Sequence, residues 1–272
     1  MRKSVHSLLG FIVLLSPVFL YSQGNPIFIV VPDGRTETDS IPANTNNVYL
    51  FATLPGHSYS IEQSRGLNRP TLQMFVGPAC PGAFGSSVND TSSMDPAVDL
   101  NTGLGQQRKR QAFACPGPVY PSIPPGQASI NIYNSSATPT PLSITVTDTT
   151  LYSTKWRAGT NTDTFWTFTN NSSGAVNITI NVVDSNGFAE QLPGFPNPGP
   201  MSIAAGATLS VDTTQILPQF RANPPGGSPL SGSVLVTQDG PPGAILATAA
   251  IITNAGGPIP TVESVKFGSK NQ

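Results

Sequence analysis

Candidate catalytic side chains are few in this sequence. His57 is the only histidine after His6, so a serine triad or a histidine-containing metal site would depend on it. It follows Pro55 and Gly56 at the start of a predicted strand, and no Gly-x-Ser-x-Gly motif accompanies it. We therefore interpret His57 as a solvent-exposed residue at the edge of a turn and expect no enzymatic activity. An exported hydrolase is the alternative.

The two cysteines fit a structural disulfide. Cys80 and Cys115 are the only cysteines of the chain, and an even number in an exported protein favours one disulfide. Such a bridge closes a loop of about 35 residues and contributes about 4 kcal/mol in the chain-entropy model. The pair lacks a Cys-x-x-Cys spacing, so a redox or metal role is not indicated.

Three acidic residues in that loop are calcium candidates. Asp90, Asp95 and Asp99 are close enough in sequence to offer oxygen ligands to this hard cation. They do not have the Asp-x-Asp-x-Asp-Gly spacing of a calcium-binding loop. We therefore expect a polar loop held by the disulfide, with calcium as the alternative and with no other cofactor or metal.

An aromatic cluster is the one feature that predicts a ligand surface. Trp156 lies between two basic residues in a polar segment and is the better candidate for exposure, and an exposed planar ring could stack on a sugar. Further along the chain, alternation over 164–168 places Trp166 and Phe168 on one face of a strand and Phe165 on the other. Trp156 and Trp166 are therefore the candidate ligand-binding residues. Packing in a core or at a domain seam is the alternative.

The first 24 residues have the pattern of a secretory signal peptide. Two basic residues, Arg2 and Lys3, precede an apolar run over 8–20, and cleavage is expected near Gly24 and Asn25. The run is shorter than the roughly 20 apolar residues that span a bilayer, so we predict cleavage and no transmembrane anchor. The mature protein is then secreted or displayed at the cell surface.

The composition favours a folded and nearly uncharged extracellular protein. Charged residues make up only 10% of the chain, and its 26 glycines and 28 prolines indicate many turns. Of the 13 basic residues two lie in the signal, so eleven face 14 acidic ones in the mature chain. The one basic run, Arg108 to Arg110, is interpreted as a solvated loop tip. Nucleic acid is therefore not an expected partner.

Alternation of apolar and polar residues predicts many short strands and no clear amphipathic helix. The predicted strands cover 27–31, 48–53, 58–62, 71–76, 129–133, 142–147, 164–169, 176–182, 207–211, 233–237 and 244–252. This pattern predicts an all-β fold of two tandem β-sandwiches of jelly-roll or immunoglobulin-like type. The first is expected over 25–149 and the second over 150–268, with a tail over 269–272. The segment 155–162 is expected to be polar and irregular.

Residues 45–148 resemble the bacterial pre-peptidase C-terminal domain. The likeness rests on four stretches, each matching a strand and its flanking turn in that family, and it implies a small β-sandwich without catalytic residues. The family is a common appendage of secreted enzymes and surface proteins. The second half has an immunoglobulin-like strand rhythm. The stretches are Val48-Tyr49-Leu50-Phe51 with Leu54-Pro55-Gly56-His57-Ser58-Tyr59-Ser60-Ile61, then Pro70-Thr71-Leu72-Gln73-Met74-Phe75, Gly126-Gln127-Ala128-Ser129-Ile130-Asn131-Ile132-Tyr133-Asn134 and Pro141-Leu142-Ser143-Ile144-Thr145-Val146-Thr147.

These features predict a non-catalytic protein that acts outside the cell by binding, adhesion or assembly. Its expected partners are extracellular polysaccharide or components of the cell envelope. A role as the carbohydrate-binding accessory protein of a secreted enzyme stays open beside this. Self-association through sheet edges is a further option, in which the apolar segment Ile27–Val31 pairs with a neighbouring molecule. The alternative is that this segment forms the first strand of its own sandwich.

Overall fold

The protein is all-β, as a computed structural model shows. The structure describes residues 26–65, 72–77, 107–115, 126–186, 199–217, 230–254 and 259–269. Seventeen strands and one short helix occur in these ranges. They are β1 Ile27–Ile29, β2 Asp33–Ile41, β3 Thr45–Thr53, β4 Ser58–Arg65, β5 Leu72–Gly77, β6 Gln107–Ala114, β7 Gly126–Asn134, β8 Thr140–Asp148, β9 Leu151–Ala158, β10 Thr162–Asn170, β11 Val176–Asp184, β12 Met201–Ile203, β13 Thr208–Asp212, α1 Thr213–Ile216, β14 Leu230–Gln238, β15 Ile245–Thr253, β16 Thr261–Lys266 and β17 Gly268–Ser269.

The strands form four sheets that are divided at Thr149 and Thr150. Strands β1 to β8 build two sheets, in the orders β1-β3-β7-β5 and β2-β8-β4-β6. Strands β9 to β17 build the other two, in the orders β13-β10-β15-β16 and β12-β11-β14-β9-β17. Each half buries one apolar core between its two sheets, which is the arrangement of a β-sandwich. Whether each half folds independently stays a prediction.

Two segments that were expected to be loop are strands. Arg108 to Arg110 lie in β6, the last strand in the order of its sheet. Residues 155–158 lie in β9, which pairs with β14. The end of the chain also differs from expectation, because Ser269 pairs with Leu151 instead of lying in a free tail.

Strand β1 belongs to its own sandwich, and it is the single parallel partner among the described strand pairs. Ile27 pairs with Val48 and Ile29 with Leu50, while the ring of Phe28 stacks on Tyr49 with centroids 5.2 Å apart. Pairing within the same molecule is therefore the state that the structure contains. Ile29 nevertheless remains 84% exposed at the edge of the sheet.

The two sandwiches share one pairing scheme in a shifted chain order. One sheet of the first half has the order β2-β8-β4-β6, and its counterpart in the second half has the order β12-β11-β14-β9. The other two sheets correspond through the orders β3-β7-β5 and β13-β10-β15. All five corresponding pairs are antiparallel in both halves. Strands β6 to β8 come last in the first half, whereas their counterparts β9 to β11 come first in the second half. The halves are related by a cyclic shift of their strands.

A buried asparagine occupies the same place in both sandwiches. Asn134 ends β7 and Asn170 ends the corresponding strand β10, and neither side chain is exposed. In each case Nδ2 donates to three main-chain carbonyls at 2.8–3.2 Å, and Oδ1 accepts the N–H of the residue two positions later. The carbonyls are those of Ile41, Pro42 and Thr138 for Asn134, and those of Ile203, Ala204 and Gly174 for Asn170. Each amide thereby joins two turns and gives a buried carbonyl a hydrogen-bond partner, that of Ile41 in the first half and that of Ile203 in the second.

Candidate functional site

The outer side of one sheet in the second half forms an open surface, which we call the open face. Its residues are the outward-pointing ones of β13, β10, β15 and β16, since register partners share a side of the sheet. Phe165, Leu246 and Val262 on this side are 40%, 59% and 64% exposed. The members used below are Asp163, Phe165, Thr167, Thr169, Thr208, Ser210, Leu246, Ile252 and Val262.

Alternation in β10 decides which aromatic ring is available on this face. Trp166 and Phe168 point into the core and are fully buried, whereas Phe165 points outward. The predicted separation of these three rings is therefore confirmed. The ring that reaches solvent is that of Phe165, whereas the sequence analysis named Trp156 and Trp166 as candidate ligand-binding residues.

The part of the open face that lies further along β10 and β13 from Phe165 carries paired hydroxyl groups. The hydroxyls of Thr167 and Ser210 lie 3.3 Å apart, and those of Thr169 and Thr208 lie 3.0 Å apart, so each pair shares a hydrogen bond across the two strands. Cross-strand hydroxyl pairs of this kind stabilise a sheet without placing charge on it. A ligand on this part of the open face therefore meets hydroxyl groups between the apolar side chains of Phe165 and Leu246.

A groove of about 430 Å³ lies at the end of the open face where β10 begins. Phe165 and Ile252 supply its apolar part, and Asp163, Asn161 and Asn254 supply carboxyl and amide groups. The turn that leads into β10 is held in place because Asn254 N donates to Asn161 O at 2.8 Å. The volume lies in the roughly 300–1,000 Å³ range of small-ligand sites.

The carboxyl group of Asp163 is fixed in the groove by main-chain donors. Its Oδ1 accepts the N–H of Thr164 at 2.7 Å and that of Thr213 at 3.3 Å. Burial raises the pKa of Asp163 above its ordinary value, and the charge of Asp212 acts in the same direction. The group is thus an oriented acceptor at the groove wall.

Helix α1 contributes Thr213 and Thr214 to the lining of the groove and is held by a capping box. Asp212 Oδ1 accepts the N–H of Gln215 at 2.9 Å, and Gln215 Oε1 accepts the N–H of Asp212 at the same distance. The hydroxyl of Thr214 donates to Asp212 Oδ1 at 2.8 Å. A helix of one turn is thereby positioned against β10 although it is too short to be stable alone.

Both tryptophans proposed as ligand-binding residues are fully buried, so neither ring has a face open to a ligand. The expectation that Trp156 is exposed is wrong, because β9 turns its side chain into the second core. There its Nε1 donates to Val183 O at 2.8 Å. Trp156 lies opposite Gly232, where a Cβ atom would collide with the same Val183 oxygen.

His57 is half-buried and pairs with Asp148, which corrects its interpretation as an exposed turn residue. Nδ1 of His57 lies 2.8 Å from Oδ2 of Asp148, and the N–H of Thr150 donates to the other carboxylate oxygen at 3.1 Å. Burial by itself raises the pKa of Asp148, but the hydrogen bonds and charge of His57 and the bonds from Thr150 outweigh it, so the pKa lies below its ordinary value. The sequence alone does not indicate this contact, because 91 positions separate the two residues.

The pair borders a polar junction that connects the two sandwiches. Thr149 Oγ1 donates to Ser58 Oγ at 3.0 Å, and the N–H of Gln238, from the second sandwich, donates to the same oxygen at 3.1 Å. Gln238 Nε2 donates to Thr149 O at 3.1 Å. All three residues are buried, so this junction fixes the connection between the halves.

The hydrogen bonds of the junction also decide whether Ser58 could act as a nucleophile beside His57. Ser58 follows His57 in the chain, but its hydroxyl oxygen is buried and already accepts two hydrogen bonds. A serine nucleophile needs a hydroxyl that faces the substrate and donates to the histidine. The His57–Asp148 pair is therefore best explained as a structural contact.

Replacing Asp148 by asparagine should make the protein less stable in a pH-dependent way. A carboxyl whose folded pKa is depressed stabilises the fold above its unfolded pKa, about 4, and loses that contribution as the pH falls through the folded value. We expect Asp148→Asn to cost about 2 kcal/mol at pH 7 and less as the pH falls below 4.

Urea unfolding at pH 7, 4 and 2.5 measures this difference, with the exposed Glu37→Gln as the matched control. A cost for Asp148→Asn that is the same at all three pH values would contradict the assignment.

Several predicted site residues lie outside the described part of the chain. These include Cys80 and the calcium candidates Asp90, Asp95 and Asp99, so the disulfide and the calcium site stay predictions. Cys115, the other cysteine, is buried in the first core at the end of β6. Among the described residues no group of three or more histidine, cysteine or acidic side chains is arranged to hold a metal ion.

The chain matches no protein-family model and no curated protein. The solved structures that the chain matches include Aeromonas hydrophila PliG, a periplasmic inhibitor of g-type lysozyme, at 16% identity over 45% of this chain and 96% of that one, with a TM-score of 0.27. They also include the pre-peptidase C-terminal domain of a Bacillus anthracis collagenase, at 12% identity over 46% and 99% with a TM-score of 0.29. The extracellular region of zebrafish Gpr126/Adgrg6 matches at 9% identity over 90% of this chain and 32% of that one, with a TM-score of 0.22.

Within the described ranges, no helix has the length and hydrophobicity to cross a bilayer.

Proposed function

We propose that this protein is an exported, non-catalytic binding protein and that the open face is its binding surface. The observation that carries the proposal is the exposure of Phe165 beside a groove with fixed polar groups. Exposed apolar side chains on an otherwise polar sheet are a common sign of an interaction surface. The signal-like N-terminus and the low charge of the mature chain support an extracellular location.

The proposal includes a role for each half. The first sandwich is a domain of the pre-peptidase C-terminal type, and the second carries the binding surface. The buried junction through Ser58 and Gln238 keeps the second half in one orientation relative to the first. A rigid connection of this kind presents the open face without the entropic cost of a flexible linker.

Fractionation of the producing cells tests the location and the processing. We expect the protein in the envelope or the medium, with Asn25 or a close neighbour at its N-terminus by mass spectrometry. Recovery from the cytoplasm with the first 24 residues intact would contradict an exported protein.

Self-association through a sheet edge is a second candidate, and the exposed residues of β1 favour it. Ile27 and Ile29 are 54% and 84% exposed on an edge strand, where unpaired main-chain groups can accept another strand. Size-exclusion chromatography with light scattering distinguishes the two: assembly predicts a mass that rises with concentration, whereas a binding protein without assembly stays monomeric.

A further inference from the structure

The groove beside Phe165 has the chemical features of a sugar-binding site. Sugars present apolar C–H faces together with hydroxyl groups that both donate and accept hydrogen bonds, so their sites combine aromatic rings with amides and carboxylates. Phe165 lies on one side of this groove, diagonal to Ile252 on the neighbouring strand. The two residues form an apolar strip against which a flat ring can lie.

The polar side of the groove retains hydrogen-bonding capacity for a ligand. Thr213 Oγ1 is already used, since it accepts the N–H of Thr164 and donates to Thr164 O, both at 3.2 Å. The side chains of Asn161 and Asn254 are exposed at the rim, and each amide offers two donor hydrogens and an acceptor oxygen. Together with the carboxyl of Asp163, they offer both kinds of hydrogen bond to a ligand hydroxyl.

The charges of the groove select against an anionic ligand. No lysine or arginine is among the described residues that line it, and its one charged side chain is that of Asp163. Asp212, at the start of α1, is close enough to act electrostatically on Asp163. Phosphate, sulfate and uronic acid groups would be repelled here, whereas neutral hydroxyl groups would not.

The groove is also fixed before a ligand arrives. Asp163 is oriented by two main-chain donors, and the adjacent α1 is held by its capping box. Preorganised polar groups lose little conformational entropy when a ligand binds. The saving matters most for a ligand that makes few contacts, such as a single sugar unit.

We propose that this groove binds a neutral saccharide, with one sugar ring on Phe165 and with hydroxyl groups bonded to Asp163, Asn161 and Asn254. The inference rests on the proposed function, because it names the ligand class of the open face. It fixes the position of the sugar as well as its class, since the ring must lie on the Phe165 side of the groove.

Titration of the full mature protein with defined oligosaccharides tests this inference. We would follow amide chemical shifts and heats of binding with neutral glucose, mannose, galactose and N-acetylglucosamine oligomers, and with uronic acid and sulfated oligomers as the anionic set. We expect at least one neutral series to bind and to shift resonances of residues 161–165, and the anionic set not to do so. Phe165→Ala should weaken binding at least tenfold, and Phe165→Trp should retain it.

Tyr152→Ala is the matched control, because Tyr152 is a similarly exposed aromatic residue in the other sheet of the same sandwich. Preference for the anionic set, or neutral binding that Phe165→Ala leaves unchanged, would overturn the inference. If no saccharide binds while envelope fractions still bind in a Phe165-dependent way, the ligand class is wrong and the proposed function stands. If neither binds, both are wrong.

Discussion

Replacing Asn134 or Asn170 by aspartate should lower the free energy of unfolding of its own sandwich by about 3 kcal/mol or more. Nδ2 of each amide lies within hydrogen-bond distance of three main-chain carbonyls, one of them buried, and a carboxylate of the same shape would face those oxygens with negative charge and no hydrogen to donate. The matched control is Asn171→Asp, because Asn171 is the exposed neighbour of Asn170.

Two spectroscopic signals separate the two halves in this experiment. Both tryptophans of the chain lie in the second core, so indole fluorescence reports on the second sandwich and circular dichroism reports on both. We expect Asn170→Asp to shift the fluorescence transition in urea and Asn134→Asp to shift mainly the dichroism transition. A cost below about 1 kcal/mol for both variants would show that the asparagines do not hold these turns.

Replacing Trp156 by alanine should cost about 3–5 kcal/mol. The change removes a fully buried ring from the second core and leaves Val183 O without the Nε1 donor. Phe165→Ala, on the open face, should cost less than about 1 kcal/mol, since a half-exposed ring contributes less burial. Urea unfolding followed by circular dichroism measures both variants without depending on the removed tryptophan.

A pair of phenylalanine variants isolates the hydrogen bond of Trp156. Trp166 is equally buried, but its Nε1 has no hydrogen-bond partner among the described residues. Trp156→Phe should therefore be more costly than Trp166→Phe by about 1–2 kcal/mol. Equal costs would contradict the assigned role of the indole N–H.

The strand pattern was readable from the sequence where one face of the strand is apolar. In β11 the alternation of Val176, Ile178 and Ile180 with polar residues predicts the buried and exposed positions that the structure contains. In β2 the exposed edge carries polar residues at nearly every position, so no alternation signals a strand there. Edge strands bury little side-chain area, and this is why the pattern is weakest at edges.

Trp156 shows how the same pattern was misread. The basic residues Lys155 and Arg157 made its segment look like a linker, but they are the outward positions of β9 and Trp156 is the inward one. In a half-buried strand the two neighbours of an inward residue point to solvent, so charged residues on both sides of a buried aromatic ring are expected.

The candidate site could be predicted only in part. Alternation places Phe165 on the face opposite Trp166, and the structure confirms this separation. Its polar partners come from distant parts of the chain, because Thr213 N meets Asp163 across 50 positions and Asn254 N bonds to Asn161 O. Contacts set by the folding of separate strands leave no local signal in the sequence. The correspondence between the two halves was hidden in a similar way, since the cyclic shift removes any repeat in simple chain order.

Co-sedimentation with insoluble envelope and polysaccharide fractions of the producing cells tests the central claim most directly. The mature wild-type protein, Phe165→Ala and Tyr152→Ala would be compared at increasing concentrations. Binding through the open face predicts saturable pelleting of the wild type and of Tyr152→Ala, with at least a tenfold weaker apparent affinity for Phe165→Ala. Equal pelleting of all three proteins, or a wild type that stays in the supernatant, would contradict the assignment of the open face as the binding surface.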